Sequence, residues 1–159
     1  MLAPATAKVS NAPAAVGAER ARASELPDAD SVPRFGWPVV PLQTQWVQKP
    51  AGGAGLLLTG TLGQSVKAAA AGRVVYAGMG LARSYGAVVI VKHSDSWLSA
   101  YGYNQQISVK ENDWVSANQV LARMGDNGQG RAQLYFEIRH HGKPVNPMDY
   151  LPSAVGASH

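Results

Sequence analysis

Cysteine is absent from the 159 residues. That excludes disulfide staples, thiolate metal sites and a cysteine nucleophile. It leaves the compartment open, because a chain without thiols is at home in either redox environment. Charge is also sparse: 15% of residues are charged against 46% apolar, a globular rather than a disordered composition. No apolar run approaches the roughly 18 residues of a membrane-spanning helix. Met1-Leu2-Ala3-Pro4 has no basic stretch leading into an apolar core, so the expectation is a cytosolic chain or one already trimmed. The glycines at 125, 128 and 130 lack the Lys and Ser/Thr of a phosphate-binding loop. No His-x-His and no His-Glu-x-x-His segment occurs, so no zinc-hydrolase ligand set is visible.

What is present is unevenly distributed. Residues 1–34 hold ten Ala and four Pro and no aromatic residue, with four positive and four negative charges. Such a stretch buries too little apolar surface to offset its ordering entropy, and it reads as a flexible linker with at most a helical turn near 18–25. All four Trp, all six Tyr and both Phe lie within 35–152, together with the whole excess charge of +4. That span is large enough to fold alone; 153–159 reads as a frayed tail.

Within the domain the patterning is all β. Residues 73–77, 87–92, 97–101, 119–124 and 133–139 are short runs rich in β-branched and aromatic residues, and 93–96 reads as a hairpin turn. Short strands between glycine-rich turns predict a sandwich or half-open barrel. No helical periodicity and no internal repeat is evident, and the absence of heptads and of a long exposed edge makes a monomer the expectation.

Of the four histidines, His93 ends a predicted strand and reads as a surface residue. His140 and His141 read as a solvated turn before Gly142, and His159 is terminal. Glu137, between Phe136 and Ile138, is a lone carboxylate and not an acid–base pair; it reads as structural, paired with Arg139 or a backbone donor. Composition and spacing stop at a small basic β domain.

A more specific signal is a series of motifs in fixed order: VKAAAAGRVVYAG at 66–78, YGAVVIVKH at 85–93, LSAYGYN at 98–104, QVLARMG at 119–125, LYFEIR at 134–139 and PVNP at 144–147, with Trp37-Pro38 at the start. Together they resemble the LytM (lysostaphin-type) peptidase domain over about residues 35–152. The resemblance implies a two-sheet antiparallel β fold with a narrow groove. Active members bind zinc through the His and Asp of His-x-Gly-x-Asp and the last His of His-x-His. Two further histidines assist the attacking water. Aligned on Gly63 and Gly72, with Gly55 as the motif glycine, those five positions fall on Gly53, Leu57, Tyr103, Gln133 and Tyr135. None is a His or Asp, and none is a good zinc ligand.

The pattern of loss resembles the degenerate domains of the EnvC/NlpD amidase-activator group. Residues 101–105 and 128–139 look EnvC-like; 75–78, 99–101 and the 146–152 ending look NlpD-like. The resemblance implies a periplasmic protein, anchored to the outer membrane in the NlpD case, that needs no cofactor. Such proteins do not cut peptidoglycan. They bind zinc-dependent N-acetylmuramoyl-L-alanine amidases and relieve their autoinhibition at cell division. The expected partner-binding residues are Leu57, Arg83, Tyr103, Arg131, Gln133, Tyr135 and Arg139, although Leu57 and Tyr135 could simply fill space where ligands stood. The rival readings are a peptidoglycan-binding module, and a zinc endopeptidase with displaced ligands drawn from His93 with His140 or His141. Nucleic-acid binding is disfavoured, because the net charge is small and no basic, aromatic-studded strand face is evident.

Overall fold

The computed structural model describes residues 32–48, 53–79 and 85–152. The expected linker, helical turn and C-terminal tail, and Arg83, lie outside the described residues, apart from 32–34.

Ten strands are formed among the described residues: β1 (Gln43–Gln48), β2 (Ala54–Thr59), β3 (Ser65–Lys67), β4 (Gly72–Gly78), β5 (Ala87–Lys92), β6 (Trp97–Ile107), β7 (Trp114–Val115), β8 (Val120–Met124), β9 (Gln133–His140) and β10 (Lys143–Val145), followed by a 3-10 turn at Pro147–Asp149. All pairings are antiparallel. The main sheet runs β1-β2-β9-β6-β5-β4-β7, with β10 alongside β9. A smaller layer, β3-β8, joins through the far end of β6. The fold is thus the all-β, two-sheet antiparallel arrangement expected.

The long strand β6 links the two layers. Its first half pairs with β9 as far as Gly102, opposite Tyr135. From Asn104 it pairs with β8 instead. Between them Tyr103 sits at φ 68°, a left-handed conformation that is costly for a bulky residue. Such a kink is how one strand leaves one sheet and enters another. The register shifts on either side of this point belong to the same bend.

Period-2 alternation sends Leu134, Phe136 and Ile138 of β9 into the core with Leu56 and Leu58 of β2, Val89 and Val91 of β5, and Tyr101 of β6. Phe35 and Leu151 close the same core. Trp37 Nε1 donates to the Pro152 carbonyl at 2.8 Å, tying the two ends of the described chain together. Among the described residues, no helix is long and apolar enough to cross a membrane.

Three expectations need correction. His93 is not at the surface: it is 1% exposed. Its Nδ1 donates to the Ala71 carbonyl at 2.8 Å, so Nε2 accepts, and it takes the Ser99 hydroxyl at 2.8 Å. Ser99 in turn accepts from Tyr101 at 2.6 Å, and the Tyr101 oxygen accepts from the Ala69 N–H at 2.9 Å. With the imidazole neutral, as its burial favours, the donors run in one direction from Tyr101 through Ser99 to His93 Nε2. Burial pulls the His93 pKa down to about 4, against a smaller opposing effect of the Ala71 carbonyl, and pushes Tyr101 up to about 12. Second, the pair at 140–141 is only half a turn. His140 is the last residue of β9 and stacks on Trp97 at 4.0 Å; His141 takes the positive φ of the turn. Third, β1 is an exposed edge strand six residues long.

Candidate functional site: a tyrosine-lined groove

The outward face of β9 carries Gln133, Tyr135, Glu137 and Arg139, because the strand alternates and its other face is committed to the core. Tyr135 lies directly opposite Leu57 on β2 and Gly102 on β6. Two of the positions that resemble zinc-ligand sites, Leu57 and Tyr135, are therefore cross-strand neighbours.

What fills that spot is aromatic. The Tyr135 ring leans over Gly55, where an added Cβ would lie 3.1 Å from the ring and 2.5 Å from the Phe136 carbonyl oxygen. Only glycine leaves that room. On the other side Tyr85 stacks on Tyr135, ring centroids 4.4 Å apart and 14° from parallel, and Tyr103 tilts onto Tyr85 at 5.6 Å. Such contacts add about 0.5–1.5 kcal/mol each to area burial. Gly102 permits this: a Cβ there would meet Tyr85 at 3.2 Å.

Below the tyrosines runs a polar relay on a single strand face. Tyr135 donates to Glu137 Oε1 at 3.1 Å. Arg139 Nε donates to Glu137 Oε2, and Arg139 Nη1 to the Gly142 carbonyl at 3.0 Å. The Glu137 side chain is 8% exposed, so this is a desolvated, charge-assisted pair. Burial, reinforced by the Glu137 charge, pushes the Tyr135 phenol well above its ordinary range, so it stays protonated. A cavity of about 340 Å³ opens beside this relay, lined by Tyr85, Tyr135, Glu137 and Arg139 and by Val88, Ile90 and Leu98.

Zinc is the metal that the fold resemblance implies, and the donor set does not fit it. Gly53 and Leu57 offer no side-chain donor. Gln133 is buried, and its carbonyl oxygen already accepts from Asn127 at 3.2 Å. Tyr135 is a neutral phenol committed to Glu137. His93 has both ring nitrogens engaged, so it cannot serve as a displaced ligand. Among the described residues no group of three His, Cys, Asp or Glu could hold a metal ion.

Of the residues picked from sequence, Tyr103, Tyr135 and Arg139 come together with Glu137, and half-buried Leu57 adjoins Tyr135. Gln133 and Tyr135 are buried, 6% and 3% exposed, rather than presented. Arg131 stands apart, exposed in the glycine-rich loop, with Nη1 3.5 Å from Gln43 Oε1. Tyr85 and the apolar wall of Val88, Ile90 and Leu98 are not among the positions that the sequence singles out. The available signal was that two tyrosines flank glycines, Tyr85-Gly86 and Gly102-Tyr103, and that β5 is apolar on both faces.

Residues 52–147 match peptidase family M23. A Pseudomonas aeruginosa protein, lipoprotein NlpD/LppB homolog, is 51% identical over 98 residues, covering 62% of this chain and 33% of the relative. The Escherichia coli murein hydrolase activator NlpD is 48% identical over 101 residues, covering 64% of this chain and 26% of the relative. The chain thus spans a third or less of the length of these relatives. Lysostaphin, the antimicrobial peptidase of Staphylococcus simulans, superposes with a TM-score of 0.63 at 18% identity, covering 80% of this chain and 56% of its own, a likeness of fold.

Proposed function

The chain belongs to peptidase family M23, and from that premise we propose that its domain is a non-catalytic activator of peptidoglycan hydrolysis rather than a peptidase. The observation that carries the reading is Tyr135, seated over Gly55 at a position that resembles a peptidase zinc ligand and stacked by Tyr85. A zinc peptidase needs three protein ligands and an open position for water. The half-buried Tyr85 and Tyr103 rings, carried on buried Tyr135, make a surface suited to a protein partner instead, offering aromatic contact area. The name of the E. coli relative, murein hydrolase activator, supports the same reading.

In finer detail, the partner is a zinc-dependent N-acetylmuramoyl-L-alanine amidase of the periplasm, held inactive by a segment over its own zinc. The activator binds the open conformer in preference to the closed one and shifts the population by that differential affinity. Raising a 1:99 enzyme to 99:1 needs a preference of about 5.5 kcal/mol. Leu57, Tyr103, Arg131 and Arg139 are the contact residues of this reading, with buried Tyr135 and Gln133 supporting them from below; Arg83 lies outside the described residues. The test is the double variant Tyr135→Ala/Arg131→Ala: activation of the amidase is lost while the domain remains folded by circular dichroism. Full activation by a folded double variant contradicts the groove reading.

A second reading, a peptidoglycan-binding module, draws on the net charge of +4 and the anionic character of the wall. Pull-down with purified sacculi at low and moderate salt separates the two.

A further inference from the structure

An antiparallel sheet with one face on the core and one on solvent normally alternates apolar and polar residues. The main sheet breaks this rule on its outward face. Val89 and Val91 of β5 are in the core, yet Val88 and Ile90, which point the other way, are also apolar, as is Leu98 of β6. These three line the cavity of about 340 Å³ beside the relay. Val88 is buried and Ile90 and Leu98 are half-buried, so the strip is the recessed floor of the cavity, and a concave apolar floor with polar groups at its border is the usual form of a binding site.

The strip has a charged border. Arg73 of β4 lies opposite Lys92 of β5; Lys92 lies opposite Leu98 of β6; Leu98 lies opposite Arg139 of β9. Directly paired residues share a face, so three cations and one leucine form a single row across four strands, about 15 Å from end to end. The counter-charges are fewer. Glu137 pairs directly with Arg139 and neutralises it, whereas exposed Asp95 reaches only to 3.9 Å from Lys92. Arg73 contacts neutral Asn112 at 3.1 Å.

We infer that this face docks an acidic amphipathic segment of the partner protein, with its apolar side chains on half-buried Ile90 and Leu98 above Val88 and its carboxylates against the Arg73–Lys92 end of the row. The inference rests on the activator reading and adds to it the chemistry of the partner's contact segment. Charge complementarity selects the occupant: a basic or neutral segment leaves Arg73 and the loosely paired Lys92 without a close carboxylate, and bare glycan strands leave the apolar strip uncovered. Such a row sets encounter rate and salt dependence, and its matched charges suppress wrong partners.

The test uses the full chain and purified periplasmic N-acetylmuramoyl-L-alanine amidases of the same organism. Binding is measured at 50 and 300 mM NaCl (roughly a twofold change in Debye length), beside dye release from labelled sacculi. The variants are Arg73→Glu/Lys92→Glu and the milder Arg73→Gln/Lys92→Gln. The inference predicts that the wild-type complex weakens with salt and that the Glu pair weakens it by about tenfold or more, the Gln pair by less. It also predicts that the Glu pair loses its salt sensitivity and keeps the wild-type circular dichroism spectrum. Activation and salt response unchanged in the Glu pair overturn the inference and leave the activator reading standing. A Glu pair that loses binding to sacculi but not to the amidase assigns the row to the wall and overturns it. Failure of the wild-type chain to bind or activate any amidase overturns the activator reading, and the inference falls with it.

Discussion

Glu137 accepts from both of its same-face neighbours on β9, the Tyr135 hydroxyl at 3.1 Å and the Arg139 Nε. One buried carboxylate thereby fixes the aromatic floor of the groove and the cation at its rim. Glu137→Gln puts an amide N–H₂ against one of two donors and removes the charge. The expected cost is about 1–3 kcal/mol in urea unfolding, at the lower end because Arg139 can turn to water. Amidase activation falls as Arg139 loses its orientation. A variant with unchanged stability and unchanged activation shows that the relay is dispensable.

Gly55 is held to glycine by space. Gly55→Ala brings a Cβ to 2.5 Å from the Phe136 carbonyl oxygen and 3.1 Å from the Tyr135 ring. Either β2 shifts or Tyr135 swings out. The expected loss is about 1–3 kcal/mol, with a change in near-ultraviolet circular dichroism as the tyrosine stack is disturbed. Thermal melting and the near-ultraviolet spectrum check both.

His93 makes stability depend on pH. Its folded-state pKa of about 4 lies below the ordinary 6.5, so the folded state resists a proton that the unfolded chain accepts. Stability is therefore full above about 6.5 and declines as pH falls toward 4, by up to about 1.4 kcal/mol per pH unit and about 3 kcal/mol in total. Urea midpoints measured between pH 4 and 7.5 report the slope. His93→Gln, which cannot take the proton, flattens that part of the profile even though it lowers stability overall. A wild-type profile as flat as the variant's contradicts the network.

The donor set around Tyr135 predicts the metal content. After dialysis against buffer without chelator, the protein retains no stoichiometric zinc by elemental analysis. Retention of one equivalent means that ligands outside the expected positions have assembled a site.

The central strands are legible in the sequence because β5 and β9 are dense in β-branched and aromatic residues and end at turns. The strand β1 is not, because an edge strand exposed on both faces, with sequence QTQWVQ, carries no alternation to read. The depth of His93 is equally hidden. Its partners Ala71 and Ser99 reach it only through the pairing of β5 with β6 and the turn before β4, and sequence offers a polar residue at a strand end, which usually means solvent. The site was half legible. Positions 57, 103 and 135 follow from the LytM resemblance, and the Glu137–Arg139 pair follows from the i, i+2 rule on one strand face. Tyr85 and the outward Val88, Ile90 and Leu98 were not, because a residue apolar on the second face of a strand looks in sequence like one more core residue.

The most direct test of the account is dye release from labelled sacculi, with the chain alone and with each periplasmic amidase of its own organism supplied with zinc. The account predicts no release by the chain alone, with or without added zinc, and strong release when one amidase is present. Release by the chain alone that is abolished by a chelator would contradict it, and would mean that this groove cuts the wall itself.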